Sequence, residues 1–358
     1  MHVPDGFFNA PVSVAAGAVA AGAIAVSLRG ARRELDERTA PLAGLVAAFV
    51  FAVQMLTFPV GAGTSGHLMG GALAAILVGP YTAVLVLTVV LGIQALLFAD
   101  GGLSALGINI TLLGVVAVLV AWAVFRGLLW TLPDNRRSVT TASFAAAFVS
   151  VPVAAAVFTG LYALGGTTEV PIGTVLAAMV GVHTAIGIGE GVITALTVGA
   201  VLAVRPDLVH GARGLVRPLR LRTADGSLVP AEPAAGPEPA VARPTRPLWL
   251  AGLAATVLAA GLISAYASEK PDGLESVAEE HGIAEAEEKH RFADSPLGDY
   301  GVRDIDNESL SVGLAGLIGA GVTLAAGTGA FLALRRRNGT DTAGGSTGDR
   351  ARQEAARP

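Results

Sequence analysis

The sequence predicts an all-α integral membrane protein: a seven-span helical bundle with an external N-terminus, followed by a two-span C-terminal module. Three observations predict it. Hydrophobic residues make up 53% of the 358 and charged residues only 15%, with a mean hydropathy of +0.62, against roughly a quarter charged in soluble domains. Uncharged apolar stretches of about 20 residues, the length that crosses hydrocarbon as a helix, recur along the chain. The arginines fall between those stretches in a pattern that orients them. Composition also excludes functions. The absence of Cys rules out disulfides, thiolate metal sites and Cys nucleophiles. A nucleotide-hydrolysing P-loop needs Gly-Lys-Ser/Thr, and the only lysines, Lys270 and Lys289, each follow Glu.

The spans run in order. Residues 10–28 come first, and their run Ala15-Ala-Gly17-Ala-Val-Ala-Ala21-Gly-Ala23 offers small residues on every face. Such a helix can be approached closely from all sides, which places it inside the bundle. Residues 41–60 follow. The block 69–98 is 30 residues long, too long for one helix and short for two, with a turn signal, Gly79-Pro80, at its centre. Further spans are 104–125, 139–164, 172–204, 248–267 and 310–334. If the block is two spans and the N-terminus is outside, 20 of the 24 Lys and Arg fall in the cytoplasm, in clusters at 29–38, 126–137, 205–246 and from 335 onward. If it is one span, the clusters at 126–137 and 205–246 land outside, against the positive-inside rule. Two spans is the better count, and it makes nine helices in a multi-pass protein of the cell membrane.

The chain divides accordingly. Residues 1–205 form a membrane unit. Residues 206–246, rich in Pro, Ala and Arg without apolar periodicity, read as a cytoplasmic linker. Residues 247–334 form a two-span unit, and 335–358 a cytoplasmic tail. Between the last two spans lies an acidic external loop, 268–308, with 13 Asp and Glu against Lys270, Lys289, Arg291 and Arg303, a balance of −9. The arrangement looks like a fusion of two membrane proteins. The first residues lack a basic region of the kind that opens a secretory signal, so the first span is retained.

His2 is the most informative residue. The amine of Met1, the backbone nitrogen of His2 and its imidazole Nδ1 can close a five-membered and a six-membered chelate ring around one metal. With the amide deprotonated, the three nitrogens lie in one plane, and a fourth completes a square-planar site, the geometry of nickel(II) or copper(II). Pro4-Asp5-Gly6 is a turn that folds the first residues back onto the bundle. The natural fourth ligand is His67, in the Gly-rich external loop Gly61-Ala-Gly-Thr-Ser-Gly-His67-Leu-Met-Gly70, on the same side as Met1. By itself a lone loop His is usually just solvated; the match with His2 makes it a candidate. His183 and Glu190 are ionisable residues inside a span. Seven positions apart, they share a helix face but stand about 10 Å from each other. They read either as a polar lining or support beneath the metal site or as groups satisfied by neighbouring helices. Asn109 and Gln94 are weaker instances of the same case.

These residues carry a family resemblance. Met1-His-Val-Pro-Asp-Gly-Phe7 resembles the MHIPDG opening of the CbiM/NikM family, the substrate-specific membrane subunits of energy-coupling-factor transporters for cobalt and nickel. Gly66-His67-Leu-Met-Gly-Gly71, Gln94-Ala-Leu-Leu-Phe-Ala-Asp100-Gly-Gly102, Leu106-Gly-Ile-Asn109 and His183-Thr-Ala-Ile-Gly-Ile-Gly-Glu190 are similar to its further signatures, in order. Lys270-Pro-Asp-Gly-Leu-Glu275-Ser-Val-Ala-Glu-Glu280 and Pro296-Leu-Gly-Asp-Tyr300 resemble the PDGLE domain, a two-span partner similar to the NikN component. The resemblance implies metal ligation by Met1, His2 and His67. It also implies a coupling membrane subunit and cytoplasmic ATPase subunits as partners, and nickel(II) or cobalt(II) as transported substrate. No cofactor, nucleic acid or enzymatic activity is implied. Two rival classes remain: an intramembrane metalloenzyme built on His67, His183 and Glu190, and an ion-coupled secondary metal transporter. The first lacks any HExxH element, and the second lacks an evident inverted repeat or proton relay.

Overall fold

A computed structural model of the chain describes residues 1–35, 39–61, 63–215, 220–222, 228–230, 245–268 and 270–354. Its regular structure is helical apart from two short antiparallel ribbons and an isolated bridge. The helices are α1 (Ala10–Glu34), α2 (Thr39–Gln54), α3 (Gly71–Val78), α4 (Pro80–Phe98), α5 (Leu106–Thr131), α6 (Arg136–Gly165), α7 (Ile172–Val204), α8 (Arg246–Tyr266), α9 (Gly273–His281) and α10 (Glu308–Glu354). Among the described residues, seven helices are long and apolar enough to cross a membrane: α1, α4, α5, α6, α7, α8 and the Glu308–Arg335 part of α10. The expected integral membrane helical bundle is therefore present, with α2 as a shorter apolar helix.

The block 69–98 does break at Gly79-Pro80, but into unequal parts. Gly79 adopts φ +98° and Pro80 opens α4, because a proline has no N–H to continue the preceding helix and suits a first helical turn. A Cβ on Gly79 would meet the Glu34 carboxyl at 2.5 Å. That carboxylate accepts hydrogen bonds from Tyr81 N (3.2 Å), Thr82 N (2.7 Å) and Thr82 Oγ1 (2.8 Å), satisfying donors that a helix start leaves orphaned. α4, with 19 residues, rises about 28 Å, whereas α3, with 8, rises only about 12 Å and is no full span. The difference is made up by residues 64–70, which are buried although not helical. Such backbone is tolerated at membrane depth only inside protein, and every residue of α3 is buried. Hydropathy cannot tell a buried half-helix from a full-length span, so the third of the nine expected helices is a short one preceded by buried non-helical backbone.

The first ten residues of the stretch read as linker, 206–215, form two 3₁₀ turns, the first against α7 and the second against α3, with Leu208, Val209 and Ala212 buried. Apart from the Arg220–Arg222 and Leu228–Pro230 ribbon, the remainder of that linker up to residue 244 lies outside the described residues, and so does the end of the tail. α1 is not inside the bundle. Only Ala16, Ala20, Ser27, Ala31 and Glu34 are buried, while Val14, Val19, Val26 and Leu28 are exposed. A helix that is small on every face carries no direction in its sequence, so the packing of its neighbours decided which side met lipid.

The two units are packed together. The α10 helix lies along α2, and α8 lies beside both. The hairpin β1 (Phe58–Gly61) and β2 (Thr64–Gly66) is stitched to the segment that follows α8. Ser268 N donates to Thr57 O (3.0 Å) and Ser65 N to Pro271 O (2.9 Å). Ser65 Oγ donates to Lys270 O (2.7 Å), and the hydroxyls of Thr64 and Ser276 pair at 2.8 Å. The Gly61-to-Gly70 loop, expected to be external, is largely buried from Thr64 onward.

Candidate metal centre

The chain's first residues are inserted between the two units. The turn expected at Pro4-Asp5-Gly6 is present, with Gly6 at φ +92°. Asp5 Oδ1 accepts from Ser104 N (2.7 Å) and Ser104 Oγ (2.6 Å), and Asp5 O accepts from Glu288 N (3.0 Å) in the second unit. Asn109 grips Val3 on both sides: Val3 N donates to Asn109 Oδ1 at 2.8 Å, and Asn109 Nδ2 donates to Val3 O at 3.0 Å. Gly102 N also donates to Val3 O (2.8 Å). Met1, Val3 and Phe7 are consequently buried.

This plug brings the three candidate ligands together. The Met1 amine lies against His67 Nε2. The rings of His2 and His67 stack, with centroids 4.9 Å apart and planes 9° from parallel. His67 Nδ1 donates to Leu68 O at 3.1 Å, which leaves the Nε2 lone pair for the amine or a metal. Burial keeps the His67 imidazole below its ordinary pKa, and the Met1 ammonium adds to the effect, so the ring is neutral at pH 7. His2 Nδ1 faces Asp100 Oδ1 at 3.0 Å, and its Nε2 is buried without a hydrogen-bond partner.

Glu190 and Asn109 hold the site, and neither is a donor to it. Glu190 accepts from Met69 N (2.8 Å) and Gly70 N (3.1 Å), and Gln54 Nε2 donates to Met69 O (2.8 Å). The stretch after His67 is therefore clamped before α3 begins at Gly71. His183 shares the buried face of α7 with Glu190, as the spacing predicted. Its Nδ1 donates to Met179 O (2.8 Å), and its Nε2 has no hydrogen-bond partner. With Glu190 spent on two backbone amides, His67, His183 and Glu190 do not form the two-His-one-carboxylate centre of the metalloenzyme reading. Among the described residues, no group of three or more His, Cys, Asp or Glu side chains could hold a metal.

Sequence reasoning missed three residues. Asp272, in the second unit, places Oδ2 2.8 Å from the Met1 amine and 3.3 Å from His67 Nε2. Burial alone would raise its carboxyl, but the Met1 ammonium outweighs it and holds the carboxyl well below the usual range. Asp100, opposed by burial in the same way, is held at about 2 by His2 and the Tyr300 hydroxyl. Tyr300, also from the second unit, donates to Asp100 Oδ2 at 2.5 Å. Asp100, Asp272 and Tyr300 lay in quoted motifs, but nothing in those motifs said what they face. A cavity of about 610 Å³ opens beside these groups, lined by His2, His67, Asp100, Asp272, Glu275 and Tyr300 among others.

Both units of the chain resemble known proteins. The sequence profile of CbiM, the cobalt uptake substrate-specific transmembrane region, matches residues 2–208, and that of the PDGLE domain matches residues 246–336. Over 95% of its length the chain is 32% identical to the fused nickel transport protein NikMN of Rhodobacter capsulatus, covering 100% of that relative. It is 35% identical to the cobalt transport protein CbiM of Geobacter sulfurreducens over 79% of each chain. A crystal structure of a transition metal transporter superposes with a TM-score of 0.51 at 28% identity, covering 57% of this chain and 93% of that one. The chain belongs to the CbiM/NikM family of metal transport membrane proteins, fused to a C-terminal PDGLE domain.

Proposed function

We propose that this chain is the substrate-binding membrane component of an energy-coupling-factor importer for nickel(II) or cobalt(II). The juxtaposition of the Met1 amine, His2 and His67 in one buried plug carries the reading. A fused nickel transport protein aligned along its whole length favours nickel, as does nitrogen-only square-planar ligation. The N-terminus and the acidic loop face outward. Acidic side chains around the cavity raise the local concentration of cations. The ion replaces water with the amine, the amide nitrogen of His2, its Nδ1 and His67 Nε2; for this His2 turns away from Asp100. Separate ATPase subunits, acting through a coupling membrane subunit, then drive the inward release, which requires the His67 segment and the plug to part. This chain supplies selectivity, and its partners supply the energy.

The position of the terminus tests the proposal. Inserting one Ala between Met1 and His2 keeps every side chain but moves the imidazole out of the two-ring chelate. Square-planar, high-affinity nickel(II) binding by the purified protein and nickel uptake are both expected to be lost, as with His2→Ala. An uncleaved N-terminal tag should have the same effect. Near-normal uptake by a chain whose tag is shown to be intact would sink the chelate.

A further inference from the structure

The PDGLE unit reaches the metal centre through one atom. Asp272 caps α9 with Oδ1, which accepts from Leu274 N (2.7 Å) and Glu275 N (2.9 Å). That leaves Oδ2 to face the Met1 amine at 2.8 Å and His67 Nε2 at 3.3 Å, while the amine and Nε2 touch each other. Because Nδ1 of His67 is the protonated nitrogen, Nε2 and the carboxylate oxygen both present lone pairs. Both now face the ammonium. Donors at right angles around a metal, each about 2.0–2.1 Å from it, stand about 2.9 Å apart. The amine, Nε2 and Oδ2 therefore approximate one face of an octahedron. His2 is not in that face; it is held away by Asp100.

We infer that Asp272 is a metal ligand in a loading complex, in which the incoming ion is first held by the Met1 amine, His67 Nε2, Asp272 Oδ2 and water. The inference rests on the proposed reading of the site. The ammonium releases one proton to water as it binds. The imidazole of His2 then leaves Asp100, its proton passing from Nδ1 to Nε2, and Nδ1 together with the amide, which releases a second proton, displaces Asp272 as a free carboxylate. The path to Asp272 is marked by further carboxylates of the cavity wall: Glu275, Glu279, Glu287 and Asp299.

The test uses the full chain in nanodiscs with nickel(II) as the probe. Asp272→Asn removes the anionic ligand but keeps the helix cap, since Asn caps as well as Asp. Stopped-flow association should slow by about tenfold or more, whereas Glu279→Gln should act only through a rate difference that high salt removes. The final nickel stoichiometry and the square-planar visible spectrum should be unchanged in both. A second variant traps the loading complex: His2→Ala should bind one nickel(II) weakly with an octahedral spectrum, and His2→Ala/Asp272→Asn should not. Loading of Asp272→Asn at the wild-type rate, or equal binding by the single and double His2 variants, overturns the inference. Failure of the underlying reading looks different, because affinity would then survive both His2→Ala and His67→Ala.

Discussion

Replacing Asn109 by alanine removes both side-chain bonds that grip Val3. The Val3 carbonyl keeps Gly102 N–H at 2.8 Å, but the Val3 N–H loses its acceptor in a fully buried place. Leaving a buried donor unsatisfied costs about 1–3 kcal/mol, and the lost Nδ2 bond adds about 1. A penalty of about 2–4 kcal/mol lowers the docking constant of the plug by about 30- to 800-fold. The assay is hydrogen–deuterium exchange of the metal-free protein, read at the Gly102 amide. That amide is not touched by the substitution and opens only when Val3 leaves. Its protection should fall by the same factor in Asn109→Ala. Nickel(II) at about a hundredfold its Kd stabilises the bound form by about 2.7 kcal/mol, so added nickel should offset most of the loss. Unchanged protection of Gly102 in Asn109→Ala would refute the reasoning, because it would mean that Phe7 and the Asp5 turn hold the plug without the clamp.

Further outcomes follow from the same contacts. Glu190→Gln leaves one acceptor for the two amides of Met69 and Gly70 and turns a donor toward the other; since bonds to a charged acceptor are each worth about 1.5–3 kcal/mol, nickel affinity should drop about tenfold or more with helicity unchanged by circular dichroism. Unaltered affinity by calorimetry would show that the hairpin alone places His67. Acidification should destabilise the metal-free protein in two limbs, followed by thermal unfolding against pH. The folded pKa of His67 lies below the ordinary 6.5, so the unfolded chain takes up the proton first, and stability declines as the pH falls below 6.5. Asp100, at about 2 against 3.8, contributes fully above 3.8 and loses its contribution as the pH falls toward 2. His67→Ala should weaken the first limb, to which His210, lowered to about 4 chiefly by burial, also contributes, and keep the second. Orientation is read by cysteine labelling in this Cys-free chain. Thr64 and Ser276 are buried against each other and unsuitable, but Glu280→Cys should label from outside and Arg137→Cys only after permeabilisation, with external labelling of Arg137 reversing the assignment.

What the chain's linear order determined is whatever depends on near neighbours. The apolar runs, the Gly79-Pro80 break, the turn at Asp5-Gly6 and the chelating capacity of Met1-His2 are local, and each was legible without coordinates. His67 was legible because a Gly-rich stretch on the same side as the terminus offered one imidazole. Tertiary structure alone decided what those groups face. Asp272 meets the Met1 amine across 271 positions, and no periodicity connects them. Asn109 was read as a generic buried polar residue, because a carboxamide's two functions reveal a main-chain clamp only once a peptide lies opposite them. Glu190, costly inside a membrane, had to have partners, but its partners are backbone N–H groups, which every residue but proline carries and which sequence cannot single out. The burial of α3 and the exposure of α1 went the same way: hydropathy measures transfer out of water, and lipid and protein interior are equally dry, so only the packing of neighbouring helices could tell them apart.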